Sequence, residues 1–146
     1  MKIHTRDAQE SDYEFLFHLK KAAEYDAIKA VFGWDEPTQW CIHQQEWQEE
    51  RPTIIECDDQ PIGSFLLQRF DTHLYFGRFF LLPDFHGQGV GSGILQNVIE
   101  QSETAQLDIK LCYLVGNRVG SLYQRYGFEV TSQDSQFIHM LRQPKS

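Results

Sequence analysis

The sequence predicts an α/β fold of the α+β kind: a mixed sheet of about seven strands with helices on its faces, in the order βααβββαβαββ. Three observations lead there. Segments with two-residue alternation are interleaved with segments of helical spacing. The segment "HLYFGRFFLL" is apolar on both of its alternating faces, as a strand covered on both sides must be. The loop after it, "FHGQGVGSG", has glycine at four of its last seven positions and leads into a segment of helical period.

Each element has its own signal. "MKIHTR" alternates as a short strand. "SDYEFLFHLKKAAEYDAIKAVF" reads as helix, with Ser11 as cap, Glu14 completing a capping box, and Phe15, Leu16, Leu19 and Ala22 or Ala23 as the buried stripe. Asp35 or Glu36 begins a second helix, with Pro37 suited to its first turn and Trp40 and Trp47 near one face. "PTIIECDDQPIGSFLLQRF" is strand, turn, strand, with the turn at "DDQP". In "HLYFGRFFLL", alternation groups Leu74, Phe76, Phe80 and Leu82 against Tyr75, Phe79 and Leu81. Gly77 inside that strand signals a bulge or a close approach by another group.

After the glycine loop, Ile94, Leu95, Val98 and Ile99 form the stripe of the helix "SGILQNVIEQSETA". "LDIKLCYLV" is a strand, and "GNRVGSLYQRYGF" is a short helix ended by Gly127 at its C′ position. Two strands near "FEVTS" and "SQFIHMLR" close the chain.

With 146 residues, 41% of them apolar, the chain is expected to form one domain, residues 1–146, with a core of its own. A net charge of −8 argues against a nucleic-acid partner, which requires a basic face. No apolar run is long enough to span a membrane and no secretory signal opens the chain, so the expected setting is soluble and cytoplasmic. Cys41, Cys57 and Cys112 stand apart, with no C-x-x-C pair, and no H-E-x-x-H is present, so no metal site is expected.

Glycines where a strand turns into a helix expose backbone N–H groups to a ligand, and the helix start adds partial positive charge. Together these make an anion site, most often for phosphate. A P-loop is excluded because no lysine follows the glycines, and neither register of the loop fits G-x-G-x-x-G. What the loop does resemble is the acyl-CoA loop of the GNAT superfamily of N-acetyltransferases, Q/R-x-x-G-x-G/A after an apolar strand. In "LLPDFHGQGVG", Gly89 and Gly91 take the small positions, Val90 lies between them, and His86 stands where Gln or Arg is usual. "GNRVGSLYQRYGF" resembles the superfamily's second hallmark, N-x(4)-L-Y-x-R-x-G-F, at Asn117, Leu122, Tyr123, Arg125, Gly127 and Phe128. The likeness, to small bacterial members of unassigned substrate, extends over nearly the whole chain.

The resemblance implies a mostly antiparallel sheet whose central parallel pair splays open at a bulge. It implies acetyl-CoA as cosubstrate, without a metal, and a primary amine, on a small molecule or a protein, as acceptor. Dimers are common in the superfamily, which makes a homodimer compatible with it. The backbone of Phe79, Phe80 and Leu81 is then expected to bond the pantetheine arm. The amides of Gly87, Gln88, Gly89, Val90, Gly91 and Ser92 would take the pyrophosphate, and Asn117 and Tyr123 would approach from the far side of the split. Arg125 would meet an adenosine phosphate. Tyr123 is the candidate general acid for the departing thiolate. Some members carry a glutamate base five residues before the asparagine; here that position is Cys112. Asp35 or Glu36 therefore stands as candidate base, and Trp34 as an aromatic face for a cationic acceptor. The alternative is an acyl-CoA-binding sensor or partner module without turnover.

Overall fold

The computed structural model describes residues 1–145. The chain runs β1 (Ile3–Asp7), α1 (Tyr13–Val31), α2 (Glu36–Glu49), β2 (Thr53–Cys57), β3 (Gln60–Arg69), β4 (His73–Leu81), α3 (Val90–Ala105), β5 (Asp108–Leu114), α4 (Gly120–Arg125), β6 (Glu129–Gln133) and β7 (Phe137–Arg142), the order that the sequence predicts. The strands form one seven-stranded sheet, ordered β1-β2-β3-β4-β5-β7-β6. All neighbours are antiparallel except β4 and β5. No helix among the described residues is long and apolar enough to cross a membrane.

The core lies on both faces of the sheet. On one, Val90, Ile94, Leu95 and Val98 of α3 pack on Leu74, Phe76, Ile109 and Leu111. On the other, Leu16 and Leu19 of α1 meet Ile54, with Phe80 and Leu82 against them. The β2–β3 hairpin turns through Asp58 and Asp59, both left-handed, which suits the twist of a two-residue hairpin. Gly127 is left-handed too (φ 93°) and closes α4: its N–H reaches the Gln124 carbonyl and that of Phe128 reaches Tyr123.

Three local expectations need correction. The capping box before α1 is formed by Gln9 and Asp12, not by Ser11 and Glu14, because a 3₁₀ turn over Glu10–Asp12 delays the helix. In α1 the buried residues are Leu16, Phe17, Leu19, Glu24 and Ile28, whereas Phe15 is half-buried and Ala22 exposed. The third correction concerns β4. Ser64 pairs with Phe80 but Leu66 pairs with Gly77, so Arg78 and Phe79 of β4 together face Phe65 alone. The bulge is made at Arg78 (φ 46°), not at Gly77. The close approach at Gly77 is real, however: a Cβ there would lie 2.8 Å from the Tyr75 ring. The extra residue shifts the alternation, so Phe76 and Phe79 share the α3 face while Phe80 turns to α1.

Candidate active site

The bulge has a consequence for pairing on the other edge of β4. Hydrogen-bonded register with β5 covers only His73–Asp108, Leu74–Ile109 and Tyr75–Lys110. Beyond Tyr75 the two strands part, and the β4 edge from Phe76 to Leu81 has no strand beside it. Arg78 fixes this geometry from the outside. Its guanidinium donates to the Glu50 carbonyl (2.9 Å) and pairs with the Glu46 carboxylate (3.2 Å), tying the bulge to α2.

Two cavities meet at the split, sharing Phe79, Phe80, Asn117 and Val119 in their walls. The first, of about 660 Å³, lies at the start of α3. Gly87, Gly89, Gly91 and Ser92 line it. Gly87 and Gly89 are left-handed (φ 74° and 84°), which lets the chain turn tightly from β4 into α3. The first helical bond of α3 runs from Gly93 N–H to the Gly89 carbonyl, and no side chain caps the helix. The amides of Val90, Gly91 and Ser92 are therefore without intrahelical acceptors. Arg118 and Arg125 line the same cavity, and neither is in an ion pair among the described residues. Free amides, a helix amino end and two uncommitted guanidinium groups fit a diphosphate and a further phosphate. Val90 itself is buried in the core, so it contributes backbone only. Gln88 folds back, donating to the Asp84 carbonyl (2.8 Å). His86 does likewise through Nε2, bonded to the Leu81 carbonyl (2.9 Å), so that acceptor is already engaged.

The second cavity, of about 370 Å³, lies under α1 and α2. Tyr123 sits in its wall at 4% exposure, and its hydroxyl has no hydrogen-bond partner among the described residues. Burial raises its pKa well above the ordinary phenol range, with Tyr113 and the Glu24 carboxylate adding to the effect. Asn117 lines both cavities, its Oδ1 accepting from Val119 N–H (3.1 Å) and so closing the turn before α4. Cys112, in the position that some relatives give to a glutamate, lies 3.5 Å from the Tyr75 hydroxyl.

The carboxylates proposed from the sequence are elsewhere. Asp35 caps α2, accepting from the Thr38 hydroxyl and from Thr38 N–H (3.1 Å), and these bonds hold its carboxyl below the usual range. Glu36 accepts from Trp34 Nε1 (2.7 Å) and pairs with Lys21 (2.9 Å), with the same effect. Trp34 packs against Tyr25 and Phe17. None of the three lines either cavity. Two carboxylates do: Glu46, paired with Lys20 and Arg78, and Glu24, 8% exposed. Burial pushes the Glu24 carboxyl above the ordinary glutamate value, opposed by Lys20 and the Asn117 side chain, with Glu46 adding to the rise. It has no ion pair or hydrogen bond of ordinary length among the described residues. Its sequence signal was available: Leu16, Lys20, Glu24 and Ile28 recur every four residues along α1, and all line the cavity.

The family follows from the comparisons. The acetyltransferase (GNAT) domain model matches residues 48–130, more than half of the chain, and the protein belongs to this family. It is therefore an acyltransferase that takes an acetyl group from acetyl-CoA. Among solved structures it is similar to the PaiA N-acetyltransferase from Thermoplasma acidophilum in complex with coenzyme A, at 18% identity and TM-score 0.77, with 98% of this chain and 99% of that one covered. It is also similar to the ribosomal-protein-S18-alanine N-acetyltransferase from Escherichia coli, at 15% identity and TM-score 0.71, covering 99% and 96%. A spermidine N-acetyltransferase chimera from Vibrio cholerae and hSSAT aligns at 16% identity and TM-score 0.67, covering 98% and 96%. No curated protein matches the sequence.

Proposed function

We propose that the chain acetylates a primary amine by direct attack on the thioester, with acetyl-CoA entering from the α3 side of the split and the amine from the α1–α2 side. The observation that carries this reading is the parting of β4 and β5 beyond Tyr75, which joins an anion-binding cavity to a cavity holding a buried carboxylate and a buried phenol. Amides 87–92, with Arg118 and Arg125, take the phosphates. The unpaired edge of β4 over Phe79 and Phe80 takes the pantetheine arm, and an N–H there faces the acetyl oxygen as charge develops on it. The amine acceptors named for two of the similar structures, a ribosomal-protein alanine and spermidine, fit the same chemistry.

Glu24 acts as the base. An ammonium group docking on it forms an ion pair in a poorly solvated site. There, passing a proton to the carboxylate leaves two neutral groups, so burial favours the transfer that water would oppose. The nitrogen then attacks the carbonyl carbon and becomes positively charged; as the C–S bond breaks, the thiolate takes the proton of the Tyr123 hydroxyl, and the second proton released by the nitrogen restores the phenol as the amide forms. A free phenol lies about 1.5 pKa units above a free thiol, about 2 kcal/mol uphill. The same desolvation raises both anions, so it is positioning that must offset the difference. Release of the CoA thiol, followed colorimetrically with a panel of amines, tests the reading. Turnover that depends on both acetyl-CoA and an amine is expected. Protection of the protein from heat by acetyl-CoA without thiol release from any amine would favour a binding module instead.

A further inference from the structure

The acceptor cavity also has a selective chemistry, and this inference rests on the transferase reading. Its wall contains four charged side chains, Lys20, Glu24, Glu46 and Arg78. Lys20 and Arg78 both bind Glu46, at 3.3 and 3.2 Å, so these three form one ion-pair cluster with a single excess positive charge. Glu24, buried in the wall, is the one carboxylate of the cavity outside that cluster. Outward from it the wall turns apolar: Ile28, Ile42, Phe32 and Phe137. Phe32 and Ile42 are 54% and 38% exposed, which puts them at the mouth, and the Phe32 and Phe137 rings lie 6.2 Å apart.

We infer that the acceptor is a small monoamine with an aromatic or similarly bulky apolar body: its ammonium group goes to Glu24 and its body lies between Ile28, Phe32, Ile42 and Phe137. The alternatives fit less well. A polyamine brings further ammonium groups, which would meet Lys20 or the apolar rim with no second free carboxylate. A free amino acid brings a carboxylate next to Glu24, and Lys20 and Arg78 would have to give up part of their hold on Glu46 to receive it. A peptide amino terminus carries amide groups through the mouth, where the side chains of Phe32, Ile42 and Phe137 offer no hydrogen bond.

The test is steady-state thiol release at saturating acetyl-CoA with 2-phenylethylamine, ethylamine, spermidine, phenylalanine and a tripeptide beginning in alanine. Expected is a kcat/KM for 2-phenylethylamine roughly tenfold or more above each of the others, the scale on which an apolar pocket rewards a fitting group. In Phe32→Ala, at an exposed helix end, the ratio of 2-phenylethylamine to ethylamine should fall severalfold while acetyl-CoA still raises the melting temperature. Preference for spermidine, phenylalanine or the tripeptide would overturn the inference and leave the transferase reading intact, as would an unchanged ratio in Phe32→Ala. Binding of acetyl-CoA with no turnover of any amine would overturn both. Loss of acetyl-CoA binding altogether would strike the cofactor site first, and the inference with it.

Discussion

The two cavities that meet at the split in the sheet are built from different material. The one at the start of α3 presents mainly backbone: left-handed glycines and uncapped amides, helped by two arginines. The one under α1 and α2 presents side chains drawn from α1, α2, β4, β5, α4 and β7. A site made of backbone needs a contiguous stretch with few side chains in the way, and it serves a ligand that does not vary. A site made of side chains can be altered one residue at a time without disturbing the sheet. In a family whose members share a cosubstrate and differ in acceptor, that division is the physically economical one.

The contrast can be broken at either cavity, and the largest effect belongs to the phenol. Tyr123→Phe should lower kcat by about a hundredfold or more, the usual scale for removing a positioned acid. Acetyl-CoA binding, followed by calorimetry, should fall by far less. Equal losses in both would make Tyr123 a packing residue. Next comes Glu24→Gln, expected to lower kcat/KM for the amine by a similar or somewhat smaller factor and to remove the acid limb of its pH profile.

Glu24 also predicts a pH dependence of stability. Its carboxyl is raised in the folded chain, so the unfolded chain ionises first as pH rises. Its contribution is intact below the unfolded value, near 4.3, and is lost as pH climbs toward the raised folded value. Glu24→Gln should therefore gain in melting temperature relative to the parent on going from pH 4 to pH 7. A constant difference across that range would contradict the buried, unpaired state of the carboxylate.

On the backbone side, Arg118→Ala and Arg125→Ala should each raise the KM for acetyl-CoA, by about tenfold where the guanidinium bonds a phosphate directly, with little change in kcat. The smallest effect belongs outside both cavities. Asp35→Ala should lower the melting temperature, as loss of a helix cap does, with turnover unaltered. A drop in kcat there would restore Asp35 to the reaction.

The same contrast explains what the sequence could reveal. The glycine loop, Asn117 and Tyr123 lie in two short stretches, and a strand apolar on both faces announced the centre of the sheet. The bulge was legible as an event but not as a position. Gly77 drew attention because glycine tolerates odd backbone, yet it was Arg78 that took the left-handed conformation, anchored by α2 residues about thirty positions earlier. That tertiary bond is invisible to local reading, and missing it misassigned the face of Phe80 against Phe76. Glu24 was overlooked for the opposite reason. Among lysines and alanines it reads as a solvated helix residue, and only the four-residue row from Leu16 to Ile28 marks it as facing inward. Asp35 and Glu36 were candidates because Cys112 replaces the strand glutamate, but capping and ion pairing account for them.

The central claim is that the parted strands form one passage with the cosubstrate on the α3 side and the acceptor on the other. A diffraction structure of the chain with coenzyme A tests it most directly. The account predicts the diphosphate on the amides of residues 87–92, the pantetheine arm along Phe79 and Phe80 between β4 and β5, and the sulfur within reach of the Tyr123 hydroxyl. Coenzyme A bound elsewhere, or β5 paired with β4 through to Leu81, would contradict it.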